Sequence, residues 1–228
     1  MQKNNRVWEI DFIRGTAIIL MVIFHLIVDL KDFYSYDIEY LSGFWSYEGK
    51  LSAILFMLVS GVSCTFSKSN MKRGLKVFSF GLILTAVTYI FSPEMYIRFG
   101  ILHFLGTSMI LYSLINKLST KLLLTASTLI IIIGNYFLKM TVQSPYLFVI
   151  GLTDKNFGSM DYYPLMPWLS VFIIGIVIGR VVYKERKSIF NFTLENTYMS
   201  FLGNHSLLIY LLHQPLLLAT LYVLHAFK

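Results

Sequence analysis

Seven predominantly apolar runs divide the chain, at residues 11–30, 51–67, 75–91, 99–114, 122–138, 165–182 and 207–226. A hydrocarbon core is about 30 Å thick and a helix rises about 1.5 Å per residue, so each run is long enough, or nearly so, to cross a bilayer. Between them stand short polar connections. Little chain is left over for a soluble domain. The fold expected is all-α: a polytopic transmembrane bundle of about seven spans, with residues 1–228 forming one domain. Only residues 115–121 separate the fourth and fifth runs, which predicts a tight antiparallel hairpin there.

Composition agrees. Of 228 residues, 56% are hydrophobic and 14% charged, whereas a soluble domain carries about 25% charged residues. The excess apolar surface must meet lipid. The first run lacks a small-residue cleavage site after it and reads as a retained span.

The formal net charge of +7 raises the question of nucleic acid. Its distribution excludes that partner, because the basic residues fall between apolar runs, where they orient a membrane protein. With the N-terminus inside, the cytoplasmic segments hold 12 basic residues, Lys3 and Arg6 among them. The external segments hold 6, including Lys228, and Arg14 is set aside as intramembrane. The expectation is therefore a cell-membrane protein with its N-terminus in the cytoplasm and its C-terminus outside.

The first run carries the chemistry. Asp11, Arg14, His25 and Asp29 fall on one narrow helical stripe at about 100° per residue. A polar stripe on an apolar helix faces protein or water, not lipid. Asp11 and Arg14 lie at the cytoplasmic edge, and His25 lies about 16 Å further along, with Asp29 one turn beyond. Arg14 can snorkel to the interface and meet a phosphate, which His25 cannot do. His25 is the first candidate for function.

Other polar groups sit at helix mouths. Arg98 precedes the fourth run, and His103 lies about 8 Å inside it, with Gly100 and Gly106 allowing close approach. For His103, packing and function weigh equally. Asp161, Tyr162 and Tyr163 precede the sixth run. Asp161 serves either a substrate or a helix cap. The seventh run holds His213 and Gln214 beside Pro215, with Asn204 placed to cap its start. Gly175 with Gly179, and Ser60 with Cys64, make small-residue faces suited to helix packing. The one cysteine, Cys64, permits no intrachain disulfide. The chain contains no glycine-rich phosphate loop, no paired-cysteine metal site and no nucleophilic-serine elbow, so no metal is expected.

Six segments in order, EIDFIRGTAIILMVIFH (9–25), LFMLVSGVSCTFS (55–67), RGLK (73–76), FGILHFLG (99–106), DYYPLMPWLSVFIIGIVIGR (161–180) and FLGNHSLLIYLLHQP (201–215), span nearly the whole chain. Together they resemble the catalytic domain of heparan-alpha-glucosaminide N-acetyltransferases and their small bacterial relatives. The resemblance implies transfer of an acyl group, usually acetyl, from cytoplasmic acyl-CoA to a sugar-like acceptor, with a histidine as acid–base or acyl-carrying residue. The animal enzymes place that histidine in the first external loop. Residues 32–49 contain none, so His25 takes the role here, assisted by Asp29 or His103.

Cations at the cytoplasmic edge suit the CoA phosphates. Arg14, Arg73 and Arg180 are the candidates for that role, and Asp161, Tyr162 and His213 for the acceptor. The expected partners are the lipid bilayer, acyl-CoA and the acceptor, with a homo-oligomer left open. Two other readings stand beside this one: a transporter or channel whose path the histidines line, and a haem-binding electron carrier.

Overall fold

The computed structural model describes residues 7–194 and 197–226. Lys3, Arg6 and Lys228, used in the charge count, lie outside the described residues. All seven apolar runs are helices: α1 (Trp8–Tyr34), α2 (Gly43–Phe66), α3 (Asn70–Phe91), α4 (Ile101–Ile115), α5 (Thr120–Phe137), α6 (Leu165–Val181) and α8 (Ser206–Ala226). A short helix, α7 (Tyr198–Asn204), precedes the last. Among the described residues there is no strand, only two isolated bridges. Five of the helices (α1, α2, α3, α5 and α8) are long and apolar enough to cross a membrane; α4 and α6 are apolar but shorter, at 15 and 17 residues.

The exposed faces are greasy. Leu82, Ile83, Val87 and Ile90 on α3, Leu129 and Ile132 on α5, and Leu216, Tyr222 and Leu224 on α8 all lie outward. On helices long and apolar enough to cross a bilayer, such exposed side chains are suited to lipid. The chain is a multi-pass membrane protein.

The chain divides into two compact units, and α2 passes from one to the other. The first comprises Met1–Phe56 and Glu185–Lys228; the second comprises Met57–Lys184. In the first unit α1 is the axis. Its 27 residues span about 40 Å and end at Ser35, whose φ of 55° lets its N–H and that of Tyr36 close on Lys31 and Leu30. At the other end Trp8 Nε1 donates to Ser188 Oγ and to the Phe192 carbonyl, both at 3.1 Å. The Ile189 N–H donates to Glu9 Oε1 at 2.7 Å. Helix α7 lies directly on α1. Gly203 meets the Asp11 backbone and Gly15 meets that of Met199, each so closely that a Cβ would collide with a carbonyl oxygen.

Asn204 is therefore not the cap of the last helix, as expected from sequence. It is the final residue of α7, with His205 as C-cap. The seven-residue helix is stabilised by its contact with α1 and by Thr197, whose Oγ1 accepts from the Ser200 N–H at 3.4 Å. Neither is visible as hydrophobic periodicity.

The second unit corrects another expectation. The fourth and fifth helices do not pack as a tight hairpin; α4 packs along α3, and α5 along α6. Small residues decide the pairing. Gly74 and Gly106 bring α3 and α4 together, with Gly81 against the His103 ring. Gly134 of α5 rests on Pro167 of α6, and Ser127 Oγ donates to the Ser170 carbonyl at 3.2 Å. Gly175 and Gly179 of α6 seat against Leu58 and Thr65 of α2. Phe104, Leu123, Phe172 and Ile176 are buried in this unit. The apolar stretch around Leu147–Ile150 is a single 3-10 turn.

Candidate active site

Most of the polar stripe predicted on α1 is inward-facing: Asp11 and Asp29 are buried, and Arg14 and His25 are partly so. At its lower end Arg14 pairs with Asp11 at 2.9 Å and also reaches the Gly203 carbonyl at 3.5 Å. This arginine thus sits at the joint between α1 and α7.

At its upper end α1 meets α8. Gln214 Nε2 donates to Asp29 Oδ1 at 2.7 Å, and the His25 and His213 rings meet edge to face with centroids 4.7 Å apart. Asp29 is 1% exposed and His213 8%. The second oxygen of Asp29 and the Nε2 of His213 are buried without a hydrogen-bond partner among the described residues. Two residues on α1 four apart thus face two consecutive residues on α8, and Phe24 packs edge-on against His25.

The hydrogen bonds fix the tautomers. His25 Nδ1 lies 2.9 Å from the Met21 carbonyl, and His213 Nδ1 lies 2.6 Å from that of Tyr210. A carbonyl only accepts, so each Nδ1 carries the proton and each neutral ring keeps a lone pair on Nε2. Both imidazoles are therefore presented as bases.

His103 is different. Its Nδ1 accepts the Gly100 N–H at 3.2 Å and its Nε2 lies 3.1 Å from Thr85 Oγ1. Since Nδ1 accepts, Nε2 donates, and Thr85 passes its own proton to the Ile97 carbonyl at 2.8 Å. Both ring nitrogens are used. The third residue of α4 here binds the N-cap N–H, the half of a capping box that Glu or Gln makes elsewhere. The ring thus ties the start of α4 to α3.

Asp161 lies beside it in the second unit and acts as a cap, though for α4 and not for α6. Its Oδ2 accepts the Ile101 N–H at 2.8 Å, and a side chain at Gly100 would collide with the carboxylate. Burial pushes the Asp161 carboxyl up to about 6, against the pull of the Ile101 hydrogen bond, which favours the charged form. Tyr162 donates its hydroxyl to the Phe148 carbonyl at 2.6 Å, and burial raises its phenol to about 12. Ser159 and Tyr163 tie the same strip to residues 96–99.

Arg180 donates to the carbonyls of Asn116 and Leu118, just past the end of α4. It thus puts a cation at the negative end of α4 and ties the loop that follows to α6. Arg73 is half-buried near the start of α3, between the exposed Lys72 and Lys76. Sequence reasoning noted Gln214 but gave it no role. Its position next to His213 was the available signal.

The chain is an all-α multi-pass protein whose first unit brings two imidazoles together beside a buried, amide-held carboxylate. The family model described as heparan-alpha-glucosaminide N-acetyltransferase, catalytic, matches residues 6–215, and the chain belongs to that family. Membership makes it a membrane protein of the acetyltransferase kind. The matched region begins just before α1 and ends at Pro215, so it takes in all four residues of the α1–α8 cluster. Comparison with curated proteins and with solved structures gives no match.

Proposed function

We propose that the protein moves an acyl group, acetyl in the first instance, from acyl-CoA to a sugar-like acceptor in the cell envelope, and that His25 is the base. The observation that carries this reading is the pair of imidazoles with Nε2 lone pairs beside the Asp29–Gln214 bond. Nε2 of His25 takes the proton from the acceptor O–H or N–H while the oxygen or nitrogen attacks the thioester carbonyl. The C–S bond breaks, and the imidazolium returns the proton to the departing CoA thiolate. Asp29, held by Gln214, stabilises the transient imidazolium charge. His213, edge-on to His25, stands as second base and as the candidate acceptor contact.

The proposed phosphate-binding cation of the first unit is Arg14, about 16 Å along α1 from His25. An extended CoA arm is able to cover that length. Arg73 and Arg180 are the corresponding candidates of the second unit, with two of the Arg180 donors already committed to carbonyls. The contacts of His103 and Asp161 support roles in holding the start of α4, and that of Tyr162 a role in holding the 3-10 turn at Leu147–Ile150.

The experiment is acetyl transfer by the purified protein, with heat stability measured in the presence and absence of CoA. The reading requires CoA to raise the unfolding temperature and acetyl-CoA to be consumed only when an acceptor is present. A transporter would show neither effect.

A further inference from the structure

One buried acid of the first unit has no part in the scheme above. Glu48 lies in the second turn of α2, 8% exposed. Neither of its carboxylate oxygens has a hydrogen-bond partner among the described residues. The other buried acids of the first unit have each been given a donor: Asp29 has the Gln214 amide, Glu9 the Ile189 N–H and Asp11 the Arg14 guanidinium. An acid stripped of water and given nothing in exchange is costly. Such a group is found where a ligand supplies the missing donors.

Its position follows from the register of α2 on α1. Ser52 donates its hydroxyl to the Ala17 carbonyl at 2.9 Å. A side chain at Gly49 would press on the Phe24 ring at 2.7 Å. Residue 52 thus meets 17 and residue 49 meets 24, so the two helices run antiparallel. Glu48 shares a helix face with Ser52, one turn away, and so stands opposite the turn from Met21 to His25. That turn carries the proposed base.

Resting on the acyltransferase reading, we propose that Glu48 is an acceptor-binding residue of this site. Its carboxylate receives O–H or N–H groups of the acceptor and turns the reacting one toward His25. Charge separates this role from donor binding. A carboxylate accepts hydrogen bonds only, so it repels CoA phosphates and suits a polyol or amine. The signal in the sequence was the i, i+4 pair Glu48 and Ser52 at the threshold of an apolar run.

The test uses the full chain in detergent, with acetyl-CoA as donor. Glucosamine and an envelope glycan and lipid extract, read by mass spectrometry, serve as acceptor probes. Glu48→Gln should raise the acceptor KM, or cut product formed from the extract, by about tenfold or more, as expected for loss of a charged hydrogen bond. The KM for acetyl-CoA and the heat stabilisation by CoA should stay at wild-type values, and Glu48→Asp should recover part of the transfer. If Glu48→Gln transfers like wild type, or loses CoA stabilisation together with transfer, the proposal is overturned while the acyltransferase reading stands. If wild type itself shows neither CoA stabilisation nor transfer to either probe, both fall.

Discussion

Gln214 reaches from α8 to Asp29 on α1 and donates its amide N–H at 2.7 Å, across 185 positions of sequence. The bond gives a nearly inaccessible carboxylate its one donor among the described residues. Gln214→Leu should therefore lower stability by about 1–3 kcal/mol, the cost of orphaning a buried polar group. Removing the acid as well, in Gln214→Leu with Asp29→Leu, should recover part of that loss. Thermal unfolding of the two variants in detergent decides the point. If the double variant is no more stable than the single one, the orphaned acid is not the source of the cost.

Glycine closeness holds α7 on α1. A methyl group at Gly203 would collide with the Asp11 carbonyl, and one at Gly15 with that of Met199. Both obstacles are backbone and cannot swing away. Gly203→Ala and Gly15→Ala should each cost about 1–3 kcal/mol by overpacking. Unfolding midpoints at wild-type values would show that α7 is free to shift.

Asp161 makes stability depend on acidity with a defined sign. Its folded value of about 6 lies above the ordinary 3.8. Between those values the folded chain holds a proton that the unfolded chain has released. The contribution is present in full below about 3.8 and is lost as pH rises through about 6. Asp161→Asn keeps an oxygen for the Ile101 N–H and removes the titration. Its unfolding midpoint should lack the decline that wild type shows between about pH 4 and pH 6. Parallel profiles would place the titration elsewhere.

How much of this could be read beforehand depended on periodicity. The seven apolar runs announced seven helices because run length and helical rise are local properties. The stripe from Asp11 to Asp29 was legible for the same reason. Partners from distant segments were not. Nothing near Asp29 names Gln214, and nothing near His103 names Thr85. The short loop at residues 115–121 suggested a hairpin, yet Gly74, Gly106 and Gly134 set the pairing through close approach to helices on either side. Glu48 is not legible in the sequence as a buried group because it precedes the apolar run, where a carboxylate reads as loop; only the helix around it, beginning at Gly43, turns it inward.

The side assignment rests on charge distribution and is open to direct measurement. A reporter at the C-terminus should be external, and one in the loop between α2 and α3, beside Lys68 and Lys72, should be cytoplasmic. The opposite result would reverse the donor and acceptor ends of α1 and move the CoA phosphates away from Arg14.

Arg14 and His25 divide the proposed reaction between the two ends of one helix, so their variants should fail in opposite ways. Arg14→Lys keeps the charge but loses the planar fork that grips a phosphate with two parallel bonds. It should weaken CoA binding, read as loss of heat stabilisation, with the chain still folded. His25→Ala removes the Nε2 lone pair that the Met21 carbonyl directs outward by holding Nδ1–H. It should abolish transfer and leave CoA stabilisation intact. His213→Ala tests the neighbouring base, whose ring lies 4.7 Å from that of His25. As second base and acceptor contact, His213 should on its loss reduce transfer by about 10–100-fold, less than the loss of the base itself. A folded His25→Ala protein that transfers acetyl at near wild-type rate, with His213→Ala inactive, would move the base from α1 to α8. The Asp29–Gln214 bond would then orient the partner and not the base.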